Sequence, residues 1–179
     1  MKFEKERLVM VLFSGGIDST ACLHYYLSHN YKVSALFINY NQPGANKEQT
    51  AAKAIAKHYK IELKCIAISG CHIADGYIPA RNSFLLSLAL MNFKYTHGVI
   101  AIGIHAGTPY SDCSPLFKDV MQELFDLYEN GRIRIDAPFL TWKKSEIWDY
   151  AQLQKVPLHL THSNNLEDLQ PIADYLKED

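Results

Sequence analysis

The chain has 179 residues, with 18 lysines and arginines against 19 aspartates and glutamates and a formal net charge of −1. That length suits one well-packed domain, and a composition that is 48% hydrophobic and 21% charged is ordinary for a globular protein. No block of basic residues appears, which argues against phosphate-backbone binding as the main activity, so no nucleic-acid partner is expected. The longest apolar runs, such as 84–91, fall well short of a membrane span. The charged start Met1-Lys2-Phe3-Glu4-Lys5-Glu6-Arg7 leads into an apolar run cut at once by Ser-Gly-Gly, so no signal peptide is expected. Four cysteines, at 22, 65, 71 and 113, fit neither a disulfide framework nor a metal spacing, so reduced thiols and a cytoplasmic location are expected.

Apolar, β-branched runs alternate with helical patterns along the whole chain. Residues 8–13 read as the first strand and 19–29 as a helix with Leu23, Tyr26 and Leu27 on one face. A second strand is expected at 33–40, a helix at 46–59 and a third strand at 61–68. Residues 70–79 read as a loop, followed by an apolar helix at 83–95 and a short fourth strand at 99–102. A helix at 115–128, a fifth strand at 132–137 and helices at 144–153 and 166–176 complete the chain. Strands alternating with helices of this length indicate βαβ units, and apolar strands without clean alternation indicate a sheet covered on both faces. The expectation is a doubly wound, mainly parallel five-stranded sheet flanked by helices. With no linker or repeat, residues 1–179 are read as one domain.

In such sheets ligands bind at the carboxyl ends of the strands, near the topological switch point. Four segments fall there. The first is Ser14-Gly15-Gly16-Ile17-Asp18-Ser19-Thr20, after the first strand. Its glycines let backbone approach a ligand, and the following helix aims unpaired N–H groups and its positive dipole end into the loop. Ser14, Ser19 and Thr20 add hydroxyls; Asp18 either caps the helix or helps to hold a metal ion. No Gly-Lys-Ser/Thr follows, so this is not a Walker A loop. The second is Pro79-Ala80-Arg81-Asn82 ahead of an apolar helix; taken alone, Asn82 reads as an N-cap and Arg81 as a solvated flank. The third runs from Gly103 to Phe117 and is rich in hydrogen-bonding side chains. The fourth is Ala137 to Trp148, where Lys143 and Lys144 open a helix at a position its dipole makes unfavourable for cations unless an anion faces them.

The first segment resembles the PP-loop of the ATP pyrophosphatases, which implies an adenine nucleotide alpha hydrolase-like fold. Taken in order, the segments resemble the 7-cyano-7-deazaguanine synthase family. The matches are Tyr40-Asn41-Gln42, Pro79-Ala80-Arg81-Asn82, Asp112-Cys113-Ser114-Pro115-Leu116-Phe117, Ala137-Pro138, Lys144-Ser145-Glu146-Ile147, Val156-Pro157 and Leu160-Thr161. Two departures stand out. The family's four-cysteine zinc site is missing its ligands, since no cysteine follows Cys113, and structural zinc is therefore expected to be absent; a tail helix at 166–176 is read in its place. The loop between Gly103 and Asp112 carries His-Ala-Gly-Thr in place of the family's residues, and Ser114 stands where an arginine is usual.

The resemblance implies an ATP-dependent ligase that adenylates a carboxylic acid, releases pyrophosphate and captures ammonia or an amine. On it, Ser14, Gly15, Gly16, Asp18, Ser19, Thr20, Asn39 and Lys144 bind ATP. Asp18, Lys144 and Arg81 carry the chemistry, with Asp18 positioning magnesium. His105, Thr108, Tyr110 and Asp112 are the expected contacts to the acid, although His105 also reads as a loop residue bonded to backbone. Cys113 reads as a packed thiol rather than a nucleophile. A zinc-less paralogue that joins the acid to another acceptor and a non-catalytic nucleotide-binding domain are the competing readings. A homodimer is expected, with Trp142 and Trp148 as exposed aromatics for its interface.

Overall fold

In the computed structural model, which describes residues 6–71 and 78–162, five strands form a single all-parallel sheet. The elements follow one another as β1 (Leu8–Leu12), α1 (Ile17–Ser28), β2 (Lys32–Asn39), α2 (Ala45–Tyr59), β3 (Glu62–Ala67), α3 (Arg81–Asn92), β4 (Gly98–Ile102), α4 (Pro115–Glu129), β5 (Ile133–Asp136) and α5 (Lys144–Leu153). Short 3-10 turns at Ser111–Cys113 and Leu158–Leu160 were not expected from the sequence. The expected tail helix at 166–176 and part of the expected loop at 70–79 lie outside the described residues.

The strand order is β3-β2-β1-β4-β5, so the chain winds outward from β1 in one direction and then crosses over to wind in the other. The missing alternation in the strands has a direct cause: both faces are buried. Val9, Val11, Ala35, Phe37 and Ala101 pack on one face with Ala21, Leu23, Tyr26, Ala52, Ile55 and Ile147, which come from α1, α2 and α5. Met10, Leu12, Leu36, Ile38, Ile100, Ile102 and Ile135 pack on the other with Leu86, Ala89, Met121 and Phe125 of α3 and α4. Registration places Leu12 opposite both Leu36 and Ile102, so β1, β2 and β4 end level and create a common carboxyl edge.

Boundaries differ from expectation where they matter. Helix α1 begins at Ile17, so Asp18 sits within its first turn and Gly16 occupies the N-cap. Helix α3 begins at Arg81, with Ala80 at the N-cap in a left-handed conformation (φ 62°). Asn82 is therefore not a cap but the second helical residue. The tryptophans expected to be exposed are not: Trp142 and Trp148 are half-buried, and the Trp142 ring packs 4.9 Å from Phe139 and 5.8 Å from Tyr150, centroid to centroid.

Phe125 is fully buried between α4 and the sheet, whereas Leu127 on the same helix is 79% exposed. Phe125→Ala is expected to lose about 3–5 kcal/mol of stability. Leu127→Ala should stay within about 0.5 kcal/mol of the parent, both read from urea unfolding.

Candidate active site

The loop after β1 is forced into close quarters. Gly15 has φ 77°, and a Cβ there would lie 2.7 Å from the Ala52 nitrogen and 3.0 Å from the Glu48 carbonyl, both in α2. On the opposite side, a Cβ at Gly103 would lie 2.9 Å from the Asp18 carbonyl carbon and oxygen. Both contacts are with backbone, which cannot yield, so only glycine lets α1 begin this close to α2 and to the end of β4. The Gly16 carbonyl accepts the hydroxyls of Ser19 at 3.0 Å and Thr20 at 2.7 Å, and Ser14 Oγ accepts the Gly16 N–H at 3.3 Å. These bonds hold the loop open. The first-turn N–H groups of α1, which have no partner within the helix, stand at its mouth.

Beside this loop lies a cavity of about 330 Å³. Its polar lining includes Ser14, Asp18, Ser19, Arg81, Asn82 and Lys144, and its apolar wall Leu12, Phe37, Ile38, Leu85, Ile102 and Ile104. Lys144, the first residue of α5, reaches across 126 positions of sequence to contact both Asp18 oxygens at 2.6 Å. Both side chains are about a quarter exposed (24% and 25%), so the pair is partly screened rather than fully buried.

His105 stands behind this pair, 6% exposed, with Nε2 3.9 Å from Asp18 Oδ2. The Gly107 N–H donates to its Nδ1 at 3.1 Å, so the neutral ring carries its proton on Nε2, facing Asp18. Burial lowers the His105 pKa below the usual histidine value; Lys144 adds to this and Asp18 opposes it. Cys113 is buried, and burial pushes its thiol pKa up, which suits a packed thiol rather than a nucleophile.

The expected residues separate into two groups. Ser14, Gly16, Asp18, Ser19, Arg81 and Lys144 line the cavity, and Gly15 shapes it from behind. Thr20 does not line it: the side chain is fully buried and its hydroxyl is engaged by the Gly16 carbonyl. Asn39 lies outside too, its Oδ1 accepting the Asn41 N–H at 2.9 Å beside a separate depression with Ser69 and Gly70. His105, Thr108, Tyr110 and Asp112 are not in the lining; Asp112 is 6% exposed and Tyr110 is 40% exposed.

Sequence reasoning missed Glu48 and the placement of His162. The Gln42 amide donates to Glu48 at 2.8 Å, and Gln42 Oε1 accepts the Tyr40 N–H at 2.9 Å, occupying strand-end backbone beside the cavity. His162 reaches the lining because its N–H donates to the Gly15 carbonyl at 3.2 Å. Neither residue carries a local signal, because each is brought in by packing. Among the described residues no group of three or more His, Cys, Asp or Glu side chains is arranged to hold a metal ion, and no helix is long and apolar enough to cross a membrane.

A doubly wound sheet with a glycine-shaped loop, a helix N-terminus and a lysine–aspartate pair at its carboxyl edge defines a PP-loop ATP pyrophosphatase domain. A predicted subunit of a tRNA methyltransferase from Methanocaldococcus jannaschii shares this fold, with a TM-score of 0.57 over 82% of this chain and 74% of that one at 18% identity. The family model described as Queuosine biosynthesis protein QueC matches residues 8–74 and 68–169. The 7-cyano-7-deazaguanine synthase of Acetivibrio thermocellus is 32% identical over 87% of this chain and 82% of its own length. The 7-cyano-7-deazaguanine synthase 1 of Desulfitobacterium hafniense is 32% identical over 88% and 81%. The chain belongs to the QueC family of 7-cyano-7-deazaguanine synthases, which are ATP-dependent carbon–nitrogen ligases.

Two outcomes follow from the packing of the site. Gly103→Ala should displace the first turn of α1 and lower stability by about 1–3 kcal/mol, seen as a drop in Tm with a larger loss of ATP affinity. Because folding lowers the His105 pKa, the unfolded chain binds the proton more readily. The histidine's contribution is thus fully present above pH about 6.5 and declines as pH falls from there toward the folded value. Urea midpoints measured from pH 7.5 to 5.5 should fall less steeply for His105→Gln than for the parent.

Proposed function

We propose that the protein activates the carboxylate of 7-carboxy-7-deazaguanine, or a related heteroaromatic acid, with ATP and passes the acyl group to ammonia. A carboxylate oxygen attacks the α-phosphorus, the bond to the bridging oxygen breaks and pyrophosphate leaves. Ammonia then attacks the acyl carbon, AMP departs and an amide remains. A second activation, at the amide oxygen, removes that oxygen with AMP and leaves a nitrile.

The observation that carries this reading is the meeting of Lys144 and Asp18 at the mouth of the loop after β1, 2.6 Å apart. A cation held at the start of one helix and beside the N-terminus of another suits the charge that develops on a leaving pyrophosphate. Ser14, Ser19 and the first-turn N–H groups of α1 orient the phosphates, and the apolar wall keeps water from the activated acyl group. Asp18 is the carboxylate suited to magnesium, an ion commonly held by one or two carboxylates together with substrate phosphates; when bound it neutralises phosphate charge. One carboxylate in the first turn of α1, with Glu48 engaged by the Gln42 amide, fits that mode and does not fit a cage made of protein alone.

Lys144→Ala should lower kcat by roughly 10²–10³, measured as pyrophosphate release from ATP in the presence of magnesium, ammonia and the acid. Near-parental turnover excludes the role. A second reading, a paralogue that stops at the amide or uses another acceptor, draws on Ser114 in place of the family's arginine and on the lack of cysteines after Cys113. Mass spectrometry of the products separates the two: AMP with nitrile supports the synthase, AMP with amide alone the paralogue.

A further inference from the structure

Arg81 is placed unlike any other cation of the described chain. It is the first residue of α3, a position where the helix dipole opposes positive charge, and its side chain lines the cavity. Lys144 is matched there by Asp18, but among the described residues no carboxylate forms an ion pair with Arg81. Its neighbours are polar and neutral: Nε donates to Asn82 Oδ1 at 3.4 Å, and the guanidinium lies against the Tyr40 phenol. Asn82 is itself fixed, 3% exposed, with its amide donating to the Asp112 carbonyl at 3.1 Å. Leu85, Ile102 and Ile104 supply an apolar wall to the same cavity.

We propose that Arg81 is the specificity-determining residue that receives the carboxylate of a planar heteroaromatic acid, in the cavity it shares with the loop after β1. The inference rests on the proposed function and deepens it, moving acid recognition from the loop at 105–112 to the start of α3. A guanidinium presents a rigid fork of N–H donors that matches a carboxylate, while the apolar wall of Leu85, Ile102 and Ile104 suits the ring that carries it. On this assignment the Asp112–Cys113 turn acts on substrate through Asn82, as a support that orients α3.

The test is isothermal titration of the parent protein, Arg81→Met and Arg81→Lys with three probes: 7-carboxy-7-deazaguanine, 7-deazaguanine without the carboxylate, and a non-hydrolysable ATP analogue. Arg81→Met should weaken binding of the acid tenfold or more and leave both the neutral base and the ATP analogue within twofold of the parent. Arg81→Lys, which keeps charge but loses the fork, should fall between. Unchanged ATP-analogue affinity also serves as the check that each variant is folded. Equal acid binding by parent and Arg81→Met, or a loss confined to the ATP analogue, overturns the assignment while leaving the proposed function intact. A parent protein that binds the ATP analogue but not the acid overturns both, and that outcome is distinct because it appears before any substitution is made.

Discussion

Helix α1 starts directly above the carboxyl edge of the sheet, closer than any residue with a side chain would permit at two points. Gly15 lies against the backbone of α2 and Gly103 against the first turn of α1, and in both places a Cβ would approach backbone atoms within 3 Å. Everything chemical in the molecule follows from that closeness. It brings the unpaired N–H groups of α1 over the switch point between β1 and β4, where neighbouring connections leave in opposite directions and a crevice opens. The level ends of β1, β2 and β4 make its floor.

Charge in the crevice is arranged rather than merely present. Lys144 and Asp18 meet at 2.6 Å although 126 residues separate them, and Glu48 is engaged by Gln42 at 2.8 Å. Partly removed from water, such groups interact more strongly than they would on the surface, and each is also more costly to leave unmatched. Pairing keeps both in place. Among the described residues no carboxylate forms an ion pair with Arg81, although it lines the same cavity as Lys144.

Several residues that look functional in the sequence act instead as supports. Thr20 ties down the Gly16 carbonyl, Gln42 occupies strand-end backbone, and His105 is held by the Gly107 N–H while it stands behind Asp18. The Asp112–Cys113 turn is joined to α3 through Asn82. A buried polar side chain needs a partner to offset desolvation, and these side chains find theirs in the backbone that shapes the cavity.

The alternation of apolar runs and amphipathic stretches was sufficient to specify a parallel sheet with helices on both faces, because burial on two sides removes period-two patterning from strands. The order Ser14-Gly15-Gly16 followed by a helix likewise marked the tight loop that opens the cavity, since local glycine and serine chemistry is written in consecutive residues. What only the tertiary structure decided is which distant residues share the crevice. Gln42, Glu48 and His162 enter it, Asn39 and Asp112 do not, and Arg81 belongs to a helix rather than a flank. Those outcomes depend on strand order, register and the direction in which a side chain leaves its helix. These are properties of long-range packing that no local pattern encodes.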